Sequence, residues 1–105
     1  MAKKDNIIQH KIHEYIDVLK DNGILVWRLY LYGSYVKGKA GKFSDIDLAI
    51  FLNKDDLDGF EEDALLMKLR RKVDLRIEAH SFAKTDFDLS NPLIREIVET
   101  GQRII

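Results

Sequence analysis

Residues 45–52, DIDLAIFL, set the first limit on what this chain can fold into. Side chains on a strand alternate between faces, so Ile46, Leu48 and Ile50 leave one side while Asp45, Asp47 and Ala49 leave the other. The run reads as a strand that starts with two carboxylates on one face. Helical and strand patterns alternate around it. Asp5 to Asn22 repeats Ile8, Ile12, Tyr15, Ile16 and Leu19 at helical spacing, with Gly23 as its stop. Ile24 to Tyr32 is β-branched and aromatic and predicts a first strand starting near Leu25. Gly33-Ser34 closes that strand, Tyr35 to Lys39 fits a short helix, and 40–44 a loop.

After a break at Asn53 to Asp56, Asp58 to Lys72 predicts a helix with Leu65, Leu66 and Leu69 inward. Val73 to His80 predicts a third strand, with Asp74, Arg76 and Glu78 on one face and Leu75 and Ile77 on the other. Ser90-Asn91-Pro92 is a helix start, a capping residue with proline at the first helical position. Leu93, Ile94, Ile97 and Val98 follow at helical spacing, Gly101 ends the helix, and Arg103 to Ile105 fits a short edge strand. The class is α/β, or α+β if strand directions are mixed.

The 105 residues suit a single domain, 1–105, able to build one core at 46% hydrophobic content. Stability is expected to be modest unless a partner subunit covers part of the surface. The charged fraction is 33%, yet the net charge is −1. A chain that held nucleic acid by bulk electrostatics would be clearly basic, so that mode is not expected. The absence of cysteine excludes disulfides, thiolate metal sites and a cysteine nucleophile, and fits a reducing compartment. With no signal-like or membrane-spanning apolar run, the expectation is a cytoplasmic protein.

Two chemistries compete for the segment from Gly33 to Asp47. GSYVKGKA, Gly33 to Ala40, fits the first seven positions of a P-loop. It places Ala40 where a hydroxyl should meet magnesium, and an aspartate strand follows instead of a long helix. The second reading joins Gly33, Ser34, Asp45 and Asp47. A glycine lets backbone approach a phosphate closely, and free N–H groups with the Ser34 hydroxyl could hold its oxygens. Asp45 and Asp47, at i and i+2 on a strand, have Cα atoms roughly 6.5–7 Å apart on one face. Magnesium ions in a two-metal site lie about 3.5–4 Å apart, so such a pair could share or bridge them. A hard divalent cation relieves the repulsion between carboxylates and keeps positions open for phosphate. Asp74, at the head of the next predicted strand, is the third acid. Glu78 is its alternate if the register differs.

Gly33-Ser34, ten residues, then Asp45-Ile46-Asp47 resembles the signature of the nucleotidyltransferases of the DNA polymerase β superfamily. More closely, the chain resembles the minimal nucleotidyltransferases, from its first strand to NPLIREIVETG. The resemblance implies a small mixed sheet flanked by helices. It implies transfer of a nucleoside monophosphate, AMP from ATP in the first instance, with Mg²⁺ as cofactor. Gly33, Ser34 and Lys37 would then meet the nucleoside triphosphate, and Asp45, Asp47 and Asp74 would be the catalytic, metal-binding acids. Many members have arginine where this chain has Lys37, which keeps the charge and loses the bidentate fork. The resemblance also implies a HEPN-domain protein as partner. The chain would be the antitoxin of a toxin–antitoxin pair, adding AMP to a tyrosine of the toxin within a hetero-oligomer or homo-oligomer. Two alternatives stay open: a binding module that neutralises its partner by contact alone, and an antibiotic-type small-molecule nucleotidyltransferase.

Other features carry less. His10 and His13 lack a third ligand nearby and read as helix surface. His80 has no evident partner. The basic run Lys68 to Lys72 suits a helix C-terminus, where cations favour the dipole, or contact with an acidic partner. Trp27, Tyr30 and Tyr32 read as core or interface, and Arg76 with Glu78 as an ion pair beside the site.

Overall fold

A computed structural model describes residues 3–41 and 44–105, those before Ile7 by backbone alone. Part of the expected loop 40–44 therefore lies outside the described residues. Helix α1 spans Lys3–Asp21. Its 3.6-residue periodicity buries Ile8, Ile12, Tyr15 and Leu19 along one stripe. Gly23, at φ +77°, closes it. The Gly23 N–H donates to the Lys20 carbonyl at 3.0 Å and the Ile24 N–H to the Leu19 carbonyl at 2.9 Å. This pair of bonds is a Schellman cap, which uses the left-handed residue glycine adopts freely.

Strands β1 (Val26–Tyr32) and β2 (Ile46–Leu52) pair antiparallel, with Tyr32 opposite Asp47. Helix α2 (Gly59–Leu69) carries the chain over to β3 (Ile77–Ala83), which runs parallel to β2. A parallel neighbour needs such a crossover, because a hairpin cannot reverse the direction. Asp58 caps α2 by accepting from the Phe60 and Glu61 N–H groups. Helix α3 (Pro92–Thr100) starts on an Asn91 cap with Pro92 at its first position, and β4 (Gln102–Arg103) returns antiparallel to β1. The sheet is mixed, in the order β3-β2-β1-β4.

The alternation on β2 divides the core. Ile46, Leu48, Ile50 and Leu52 pack with the buried stripe of α1 and with Leu66 and Leu69 of α2. Ala49 and Phe51 face the other way, onto Tyr30, Ile94 and Ile97. Phe82 and Phe87 close over Phe51 at ring separations of 5.0 and 5.2 Å. The Tyr15 hydroxyl donates to the Leu66 carbonyl at 2.8 Å and ties α1 to α2. On the α3 face the buried positions of β2 begin at Ala49, so Asp45 and Asp47 stand at the less covered end.

The third strand departs from the expected 73–80. After α2 the chain makes a 3-10 turn at Arg70–Lys72, and the N–H groups of Val73 and Asp74 both donate to the Arg70 carbonyl. The Asp74 carboxylate then accepts from the Arg76 N–H at 2.8 Å, an Asx turn. Turn chemistry overrides the period-two pattern there, and Leu75 is left 66% exposed. Leu65, expected inward, also faces solvent.

Candidate active site

The turn after β1 is shaped by the aspartate opposite it. Gly33 has φ +78°, and a Cβ built there would collide with the Asp47 carboxylate. Both conditions favour glycine. A 3-10 turn over Gly33–Tyr35 follows, and the next element is β2 rather than a long helix, so the P-loop reading fails on architecture. The turn holds itself by backbone. The Lys37 N–H donates to the Gly33 carbonyl at 3.2 Å and the Lys39 N–H to the Ser34 carbonyl at 3.0 Å. Among the described residues the half-buried Ser34 hydroxyl has no hydrogen-bond partner. Lys37 is exposed, its Nζ 3.9 Å from Glu96 of α3.

Parallel pairing of β2 with β3 sets Glu78 beside Asp47. Burial, then the charges of Asp45 and Glu78, push the Asp47 carboxyl above its usual range, with His80 opposing. Among the described residues neither Asp45 nor Asp47 has an ion-pair partner. Glu78 has one, Arg70 at 3.0 Å. Tyr32 is held at about 12 by burial and by the charges of Asp47 and Glu78, so its phenol stays neutral.

Asp74 is not brought to this cluster. The charges that act on it are Arg76 and Lys11, at 2.8 and 3.6 Å. The Arg76 hydrogen bond is the main cause that holds its carboxyl down at about 2. Glu78, the alternate of the sequence reading, is the acid adjacent to Asp47. Tyr32 and His80 are the residues that reading missed here. Tyr32 could have been found from its position, the last strand residue before the glycine turn. His80 follows from the parity of β3 once Glu78 is placed.

The donors are hard oxygens under like-charge repulsion, which suits a magnesium-sized cation. Among the described residues no three His, Asp or Glu side chains gather closely enough to hold a metal ion alone. Such a cation commonly takes one or two carboxylates and completes its shell with phosphate oxygens and water. His10 pairs with Glu14 at 3.2 Å on the surface of α1. A cleft of about 300 Å³ lined by Ile24, Leu25, Asn53 and Glu61 touches none of these groups.

A family model described as a nucleotidyltransferase domain matches residues 12–104. The chain belongs to the nucleotidyltransferase domain family. Two solved structures share the fold of this nucleotidyltransferase domain. One is a mutant of the toxin–antitoxin MntA-HpeT, with TM-score 0.59 and 22% identity over 89% of this chain and 70% of that one. The other is a toxin–antitoxin with AMP-PNP, with TM-score 0.58 and 23% identity over 92% of this chain and 72% of that one. At these identities the likeness is one of fold. No curated protein matches the chain.

Proposed function

We propose that residues 1–105 form one domain that transfers AMP from ATP to a tyrosine of a HEPN-domain toxin in the cytoplasm, and so serves as the antitoxin of the pair. The observation that carries the reading is the contact between Gly33 and Asp47. A backbone turn in the left-handed region lies directly against a carboxylate whose neighbours are also acidic. Turn N–H groups suit a phosphate, and carboxylates crowded beside them suit a divalent cation. The fold shared with a toxin–antitoxin that holds AMP-PNP supports the choice of an adenine nucleotide.

In this reading Asp45 and Asp47 hold Mg²⁺, which would neutralise charge building on the phosphates. Ser34 and the turn's N–H groups hold phosphate oxygens, with Lys37 as a further cation at the rim. The acceptor hydroxyl oxygen bonds to the α-phosphorus. The bond from that phosphorus to the β-bridging oxygen breaks, and pyrophosphate leaves with the electron pair. The hydroxyl proton passes to Glu78. Asp74 takes no part, because the register of β3 sets Glu78 and not Asp74 beside Asp47.

The test is incubation of the chain with ATP, Mg²⁺ and its HEPN partner, followed by mass spectrometry. The partner should gain the mass of one AMP residue on a tyrosine, and the gain should vanish with EDTA. A partner that gains nothing, in cells where the chain still suppresses its toxicity, would establish neutralisation by contact.

A further inference from the structure

Helix α2 carries an apolar stripe that the fold does not use. Phe60 is 85% exposed and Met67 53% exposed, with the exposed Ala64 between them. At 3.6 residues per turn, positions 60, 64 and 67 lie on one side of the helix. The inward side is already spent: Leu66 and Leu69 enter the core, and Asp63 accepts from the Ser81 N–H.

The charges around the stripe are ordered. Asp55, Asp56, Asp58 and Glu61 are exposed before its midpoint, and Lys68, Arg71 and Lys72 are exposed after it. The helix dipole accounts for such an order by itself, with acids first and bases last. It does not account for a phenylalanine left almost wholly in water. An acid-to-base gradient along an apolar stripe is complementary to its own reverse.

We infer that α2 is a self-association face, on which a second copy of this chain packs its own α2 antiparallel about a two-fold axis at Ala64. Phe60 of one copy comes over Met67 of the other, Glu61 beside Lys68, and Asp56 beside Arg71 and Lys72. A two-fold contact of this kind repeats every pair twice. Alanine at the crossing lets the helices approach to the near end of the usual 8–10 Å range.

The neighbouring strand edge favours this mode over sheet extension. β3 is an edge strand, yet three of its outward groups are taken by side chains. Arg70 donates to the Ile77 carbonyl at 2.9 Å, and the Ser81 and Ala83 N–H groups donate to Asp63 and Asp86, each at 2.8 Å. Such capping works against the addition of a further strand.

The inference stands apart from the catalytic proposal, and its test needs no nucleotide. The full chain is examined by sedimentation at about 100 µM, since a single helix pair lies at the small end of stable interfaces. The parent should sediment as a dimer and Ala64→Arg as a monomer, with unchanged circular dichroism. Glu61→Lys should weaken the dimer at least tenfold, and adding Lys68→Glu should restore it. A monomeric parent would overturn the inference, whether or not the stripe then bound a different protein. So would a dimer that persists in folded Ala64→Arg.

Discussion

Asp47 and Asp74 are both partly buried aspartates beside the same sheet, and their surroundings are opposite. Asp47 lies beside Asp45 and Glu78, and burial first, then these charges, push its carboxyl upward against the opposing His80. Asp74 lies among Arg76 and Lys11 and accepts a backbone N–H, and its carboxyl is pushed down to about 2. The fold pairs Asp74 with Arg76 and Glu78 with Arg70, and among the described residues it leaves Asp45 and Asp47 without an ion-pair partner. Folding alone does not call for the second arrangement, since like charges at close range cost stability. A carboxyl pushed upward with no ion-pair partner, as Asp47 is among the described residues, is what a binding site for a cation offers.

Exchanging each carboxylate for its amide breaks the comparison most directly. Under the proposed reading Asp47→Asn should lower transfer by about 10³-fold or more, the several kcal/mol that a lost centre of charge stabilisation costs. The same change should raise the thermal midpoint of the nucleotide-free protein at neutral pH. A carboxyl raised in the folded state favours folding below its unfolded pKa and loses that favour as pH rises, so at pH 7 it is a burden that the amide removes. Glu78→Gln should lower transfer by about 10²-fold, in the range for a lost proton acceptor. Asp74→Asn should keep transfer within a few-fold and lose stability. Transfer assays and melting curves on the three variants decide the matter. Loss of transfer in Asp74→Asn with retention in Glu78→Gln would reverse the assignment.

Two glycines sharpen it at the next level. Gly23 and Gly33 both have positive φ, +77° and +78°, but a Cβ at Gly23 meets nothing within 4 Å while one at Gly33 meets Asp47. Alanine at either position should cost roughly 1–2 kcal/mol of stability for the left-handed backbone. Gly33→Ala alone should also displace the Asp47 carboxylate, and transfer should fall about 10–100-fold, since misplacement of about 1 Å in a site costs rate on that scale. Equal activity in the two variants would mean that the turn does not position Asp47.

Much of this was legible in the sequence because periodicity and caps are local. The stripe Ile8, Ile12, Tyr15 and Leu19, the Asn91-Pro92 start of α3 and the alternation from Ile46 to Leu52 each follow from neighbouring residues, and each is where it was expected. The third strand was misread for the opposite reason. Val73, Leu75 and Ile77 alternate as a strand does, but an Asx turn at Asp74 competes for the same backbone, and a guanidinium two residues on secures it. That shift of about four residues decides which acid neighbours Asp47. His80 depends on strand pairing, which residue types do not encode.

The last effect is on acid stability, and it separates the two aspartates by sign. Asp74 falls from an ordinary 3.8 to about 2 on folding. Its folded pKa is depressed, so its contribution is present above about pH 4 and is lost as pH falls through about 2. The stability gap between parent and Asp74→Asn should therefore be roughly 2 kcal/mol at neutral pH, at 1.36 kcal/mol per pKa unit, and should close across that acid window. Asp47 is raised rather than lowered, so its repulsion is relieved as acid protonates it. The parent's deficit against Asp47→Asn should shrink over the acid range instead of its advantage shrinking. Urea unfolding at several pH values from 7 down to about 2 measures both gaps, and comparison with each amide cancels the other carboxylates. Gaps that close from opposite sides mark Asp74 as a structural pair and Asp47 as an unneutralised site. Gaps of the same sign would mean that Asp47 has a cationic partner within the fold, and the case for a bound cation beside it would lose its electrostatic ground.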